Sequence, residues 1–247
     1  MRLRSREIRP LRYYLYVSDT KLDMLFDQMD QKLRKRISAE VKVDLKIASL
    51  TLREAADPGP TRMAKLRIIE RFIDEHHHVG DFSKPGTEYF RGQMGMRWGR
   101  VEHTPAVCFV ARESLGTRGL ILAGSMRHVL SEAPFVGDNS GYSGSQMWNI
   151  VEIFEKLSTG AMVRDLPSKH QARKRDSNVY EAWHYLQGTS LAGRLRAHNP
   201  FTASKEHLDF LAVPLAEFNS RLPRILVGTP LYVARAREPG TGTDIRS

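Results

Sequence analysis

The apolar positions of this chain keep two rhythms, and the switches between them mark its elements. From Leu22 they fall at Leu22, Leu25, Phe26, Met29 and Leu33, the one-sided stripe of a helix with a single buried face. Ser18-Asp19-Thr20 stand just ahead as capping residues, and Lys32-Leu33-Arg34-Lys35-Arg36 puts cations where the helix dipole favours them. Residues 20–36 are therefore predicted as one helix, preceded by a tyrosine-rich strand from Leu11 to Val17. The period then changes. Val41, Val43, Leu45 and Ile47 alternate with Lys42, Asp44, Lys46 and Ala48, which predicts a half-buried strand over 40–53. A bulge near Ala48 to Leu50 accounts for the shift of the apolar set to Leu50 and Leu52. Asp57-Pro58-Gly59-Pro60 breaks the chain. Thr61 then caps a second helix, striped by Met63, Leu66, Ile69, Phe72 and Ile73 and ending near His76-His77-His78.

Three strands are predicted next, at 88–98, 106–111 and 120–123, the first interrupted by Gly92 and Gly95. A Gly/Ser/Asp/Asn-rich loop over 134–145 leads to a helix at 146–157, and a basic loop over 164–175 follows. Helices at 179–186 and 208–218 come after it, the second interrupted by Pro214. Ile225 to Ala234 closes the pattern as a strand pair, or as one strand kinked at Pro230. Strand and helix alternate, then strands cluster, then helices dominate. That order points to an α+β fold, a mixed β-sheet with flanking helices in a single globular domain over 11–236, with α/β as the alternative. Residues 1–10 are expected to be a flexible basic arm and 237–247 a disordered tail.

Charge changes this picture less than its total suggests. The 247 residues carry 38 Lys and Arg against 28 Asp and Glu, a formal +10. The arm 1–9 holds a net +3 and the stretch 168–175 a net +4, so seventeen residues account for +7. A nucleic-acid reader normally carries its basic face on the fold itself. Here Arg4 and Arg6 in the arm, and Lys169, Arg173, Lys174 and Arg175 in the loop, are candidate anion or nucleic-acid contacts on a nearly balanced body. Nucleic acid is accordingly a partner that is not favoured. The run Tyr13 to Val17 is too short for a signal-peptide core, and no window approaches 18 uninterrupted apolar residues. With one cysteine, Cys108, there is no disulfide framework. A cytoplasmic protein without membrane insertion is the expectation.

Candidate chemistry gathers at two strand ends. Ser18-Asp19-Thr20-Lys21 lies where a strand feeds a helix, a place that attracts anions. Lys21 is unusual there, because a cation in the first turn opposes the dipole unless an anion offsets it. Gly124-Ser125-Met126-Arg127-His128 also follows an apolar strand, and Ser125, Arg127 and His128 have the chemistry of a nucleophile, an anion clamp and a base. Arg97, beside Trp98, is a further cation on a sheet face. Gly137 to Ser145 has backbone suited to a phosphate but matches no known fingerprint. Consecutive histidines at 76–78 point about 100° apart and cannot share one ion, so neither a metal nor a cofactor is expected. Cys108, inside an apolar run, reads as core.

Arg12 to Leu25, with Val43-Asp44-Leu45-Lys46, Met96-Arg97-Trp98-Gly99, the Gly124–Leu130 run and Gly228-Thr229-Pro230-Leu231-Tyr232-Val233-Ala234, resembles an uncharacterised actinobacterial family of domains of unknown function. The resemblance implies that residues 12–235 form one unit, that the basic arm is an addition and that 168–175 lies in a variable part. It implies no site residues. The functional expectation is a recognition or regulatory module, in bacterial signalling or defence, that binds a small anionic ligand or a protein partner. The alternatives are a hydrolase- or transferase-type enzyme with its site at the strand ends, and nonspecific nucleic-acid binding through arm and loop.

Overall fold

The computed structural model describes residues 12–46, 61–86, 88–100, 106–130, 205–219 and 223–236, with the side chains of 42–46 left out. Strand β1 (Tyr13–Val17) leads into helix α1 (Asp19–Gln28), α2 (Gln31–Lys46) and α3 (Arg62–His76). Then come β2 (Val79–Asp81), β3 (Tyr89–Arg100), β4 (Ala106–Arg112), β5 (Arg118–Ser125), a 3-10 turn at Met126–His128, β6 (Glu206–Phe218) and β7 (Arg224–Arg235).

The strands form one mixed sheet that closes on itself. Going round, β3 pairs with β6, β6 with β7, β7 with β5, β5 with β4, and β4 with β3 again. Two long strands each serve two neighbours along one edge and β6 along the other. β3 gives Tyr89–Arg91 to β2 and Met96–Arg100 to β4, while Phe90–Met96 pair with β6 on its opposite side. β7 gives Arg224–Gly228 to β5 and Tyr232–Arg235 to β1, while β6 runs along its other side. The barrel interior is filled by alternate residues of its strands, among them Phe90, Met96, Phe109, Leu122, Phe210 and Val233. A second core, Val17, Leu22, Ile37, Leu66, Ile69, Ile73, Leu211 and Leu231, packs the helices onto the outside of β1, β6 and β7. The chain is thus a single domain, α+β in outline, whose sheet is a five-stranded barrel. Among the described residues the parallel pairs are β2–β3 and β5–β7 and the other ladders are antiparallel, so the sheet is mixed. No helix among the described residues is long and apolar enough to cross a membrane.

Several expected elements are corrected. The single helix over 20–36 is two helices, because the chain turns extended at Met29, with ψ 135°. The Asp30 carboxylate then accepts from the N–H groups of Lys32 (2.8 Å) and Leu33 (3.2 Å), capping a new start. The strand expected over 40–53 is the second half of α2 as far as Lys46. Ile37 and Val41, four residues apart and both buried, are its inward stripe. The helix expected over 208–218 is strand β6, in which Leu208, Phe210 and Ala212 face the barrel while Leu211 faces the helices. Ile225 to Ala234 lies within one strand, and Pro230 sits opposite Ala212 at a bulge that skips Leu231. The helix at 61–76 forms as predicted, with Thr61 Oγ1 accepting from the Ala64 N–H at 3.3 Å. The expected bulge at 48–50, the loops 134–145 and 164–175, the helices 146–157 and 179–186, the arm and the tail lie outside the described residues.

Candidate functional site

The site is built where β1 ends and α1 begins. The Ser18 N–H donates to Leu231 O of β7 (2.9 Å), and Ser18 O accepts the first helical bond from Leu22 (3.0 Å). Ser18 therefore stands at the N-cap, yet its side chain makes no cap bond. Its hydroxyl is turned instead toward Lys21, whose Nζ donates to Ser18 Oγ (3.5 Å) and to Pro230 O (3.3 Å), and toward the buried Tyr16 hydroxyl. The N–H groups of the first turn of α1 receive no cap from the Ser18 side chain.

Beside this turn stands the 3-10 turn after β5. Val129 bridges to Tyr16, and the Leu130 N–H donates to Leu15 O (2.8 Å), so 126–130 is stitched to the free edge of β1. This brings His128, 4% exposed, onto α1. Its Nε2 lies 3.3 Å from Thr20 Oγ1 and its Nδ1 lies 3.7 Å from Asp19 Oδ2. The second separation is too long for a hydrogen bond, and among the described residues the buried Nδ1 has no partner. Arg62, at the start of α3, holds the same Asp19 oxygen at 2.5 Å. The Tyr16 ring packs edge-on against His128, 5.9 Å between centroids. Gly124 permits this, because a Cβ there would lie 2.4 Å from the Tyr16 hydroxyl.

The electrostatics follow from burial without full pairing. Burial lowers the pKa of Lys21 to about 8. Among the described residues it has no carboxylate within ion-pair distance, and both its contacts are neutral oxygens. Burial also lowers His128 to about 4, helped by the positive charges of Arg127, Lys21 and Arg62, so the imidazole is neutral at pH 7. Asp19 is raised by burial, against the pull of Arg62.

Of the six candidates at the strand ends, the structure joins Asp19, Lys21, Arg127 and His128. Ser125 meets the group through its backbone at the Tyr16 hydroxyl. Arg127 is exposed and acts on His128 through its charge. Arg97 is set apart by register: it pairs with Val110 of β4, whose partner on β5 is Ile121, whereas the site lies beyond Ser125. Trp98, its neighbour, packs against the barrel core and donates its indole N–H to Glu206 (3.0 Å). Arg4, Arg6, Lys169, Arg173, Lys174 and Arg175 lie outside the described residues, as does the loop 137–145. At the end of α3, His77 Nδ1 meets Glu88 (2.9 Å) while the Phe72 ring packs against both His76 and His77. Cys108 is fully buried, and burial pushes its thiol pKa well up. A shallow cleft of about 550 Å³, lined by Gly95, Arg112, Glu113, Leu115 and Lys205, opens at the Arg112–Gly119 end of the β4–β5 hairpin. That is the opposite end from Ser125, and the site residues take no part in it.

Two features were missed from the sequence. One is Thr20, treated only as a cap. The other is a polar brace in the second core. The Arg12 guanidinium donates to Glu70 (2.8 Å) and to the Tyr232 hydroxyl (3.0 Å), and lies 3.4 Å from Asp209. Glu70 and Asp209 are 9% and 7% exposed, and burial raises Asp209 despite Arg12. A carboxylate inside an apolar run, as in Leu208-Asp209-Phe210 or Ile68-Ile69-Glu70, is the signal that finds it. These groups satisfy one another, and we read them as structural.

A five-stranded barrel with a helical layer, carrying a partly buried cationic cluster at its strand ends, is the class of protein these features define. The chain belongs to the family of unknown function DUF7019, whose model matches residues 12–237. No curated protein matches the chain. No solved structure matches it either.

Proposed function

We propose that this protein is a recognition module whose strand-end site receives the charged group of a small anionic ligand. One observation carries the reading: Lys21 is a partly buried ammonium in the first turn of a helix with, among the described residues, only neutral oxygens as partners. Both burial and the dipole oppose a cation there. A group kept at such a disadvantage is a functional-site candidate, and an anion would relieve it. Arg62, Arg127 and the first-turn N–H groups that the Ser18 side chain does not cap add positive potential, with Asp19 as the opposing charge.

The pairing of other cations supports a local site over a basic face. Arg36 and Arg71 meet Glu75, Lys65 meets Asp23, Arg91 meets Asp74 and Arg235 meets Glu206. A thermal-shift titration at pH 7 with inorganic phosphate, against chloride at matched ionic strength, tests the reading. Phosphate should raise the melting temperature by mass action. Lys21→Met should melt higher than wild type without ligand, by about 1–2 kcal/mol after solvent screening, and lose most of the phosphate response. A variant that keeps the full response would refute the assignment.

A further inference from the structure

Thr20, His128 and Asp19 form a chain of groups that anion binding does not require. Thr20 is exposed, His128 behind it is buried, and Asp19 lies on the far side of the ring. Nε2 is 3.3 Å from the Thr20 hydroxyl, and Nδ1 is 3.7 Å from the Asp19 carboxylate. If Thr20 donates to Nε2, the neutral ring carries its proton on Nδ1, a buried donor that has no hydrogen bond among the described residues and lies 3.7 Å from the Asp19 carboxylate. A hydroxyl, an imidazole and a carboxylate in that order are the parts of an activated nucleophile, and the order is recognised by geometry and not by chain position. Such contacts are often long without substrate and tighten when it binds. The N–H groups of Thr20 and Lys21, in a first turn whose N-cap side chain is diverted, are suited to a developing oxyanion.

We infer that Thr20 is a hydroxyl nucleophile, with His128 as its base and Asp19 as a positioning residue, and that the site cleaves esters. Thr20 Oγ1 attacks the acyl carbon as its proton passes to Nε2. The tetrahedral adduct collapses, the C–O bond breaks, and His128 returns the proton to the departing alkoxide. Water then attacks the acyl-Thr20 ester, giving up a proton to His128, and hydrolysis restores the Thr20 hydroxyl as the acid leaves. The anion reading bears only on substrate choice: an ester carrying a negative charge beside the scissile bond would suit Lys21 and Arg127.

An uncharged alkyl fluorophosphonate tests the nucleophile directly in the full chain. Attack forms the Oγ1–P bond, expels fluoride and passes the proton to His128. Peptide mass mapping should place the adduct on Thr20. Thr20→Val, an exposed substitution, should abolish it, Thr20→Ser should retain it, and His128→Asn should slow labelling about a hundredfold. The groups facing His128 are Asp19 and Lys21 from α1, Arg62 from α3, Arg127 beside it and Tyr16 from β1. In that setting the acid limb of the labelling rate should fall near pH 4 and not near 6.5. Asp19→Asn should move that limb, which a merely structural role would not. No adduct on Thr20, or equal labelling in Thr20→Val, overturns the proposal. Because the probe has no charge, a negative result leaves the anion reading to its own test.

Discussion

At the scale of single residues, the site is defined by what its groups lack. Among the described residues Lys21 has no carboxylate and His128 Nδ1 has no hydrogen bond. Much of this was legible. The dipole argument singled out Lys21, and the strand-end argument singled out Asp19, Arg127 and His128. What the sequence could not give was their convergence, because His128 reaches α1 only through the stitching of 126–130 to β1. Thr20 does not stand out within Ser18–Lys21, because a threonine before a helical stripe is most economically a cap. The burial of His128 has a consequence for stability. Between pH 6.5 and about 4 the unfolded chain binds a proton that folded His128 does not. The fold should therefore lose stability as pH falls through that window, on the order of 2 kcal/mol from this group, and keep it above pH 6.5. Urea denaturation of wild type and His128→Gln across pH 4–7 checks this: the gap between them should change through the window and be constant above it.

At the scale of elements, local pattern succeeds on a one-sided helical stripe and on unbroken apolar runs buried on both faces. The stripe of α3 and the apolar runs of β4, β5 and β7 were read correctly. It failed where two rules gave different answers. In α2 the alternation Val41, Val43, Leu45 imitates a strand, while the inward stripe is set by Ile37 and Val41. In β6 both faces are buried over Leu208–Ala212, which erases the alternation of a strand, and Asp209 breaks the continuous apolar run by which β4, β5 and β7 are recognised. The junction of β5 with the site depends on Gly124. Gly124→Ala would drive a methyl into the fully buried Tyr16 ring, with overlap at 2.4–2.7 Å. We expect a loss of about 2–3 kcal/mol in chemical denaturation, with the response to phosphate weakened as the ring is pushed toward His128.

At the scale of the whole molecule, barrel closure was out of reach of sequence reasoning. It requires β6 to be a strand that joins β3 to β7, and reading 208–218 as a helix leaves the sheet open. The expectation of a mixed sheet with helices was right in outline for the same reason it was incomplete: pairing is a long-range property. Arg12 ties the start of β1 to α3, β6 and β7 at once. Arg12→Ala should strand Glu70 and Asp209 as buried carboxylates and cost about 3 kcal/mol at pH 7. The deficit should shrink toward pH 5, since Asp209 is already raised. Thermal melts at the two pH values give the comparison.

On the function proposed above, Lys21 is a desolvated cation awaiting an anion. This is tested most directly by following the Lys21 Cε resonance through a pH titration of the whole protein, with and without inorganic phosphate. We expect a midpoint near 8 in the free protein and a clear upward shift when phosphate is bound. A free midpoint near the ordinary 10.5, or one that phosphate leaves unmoved, would contradict it.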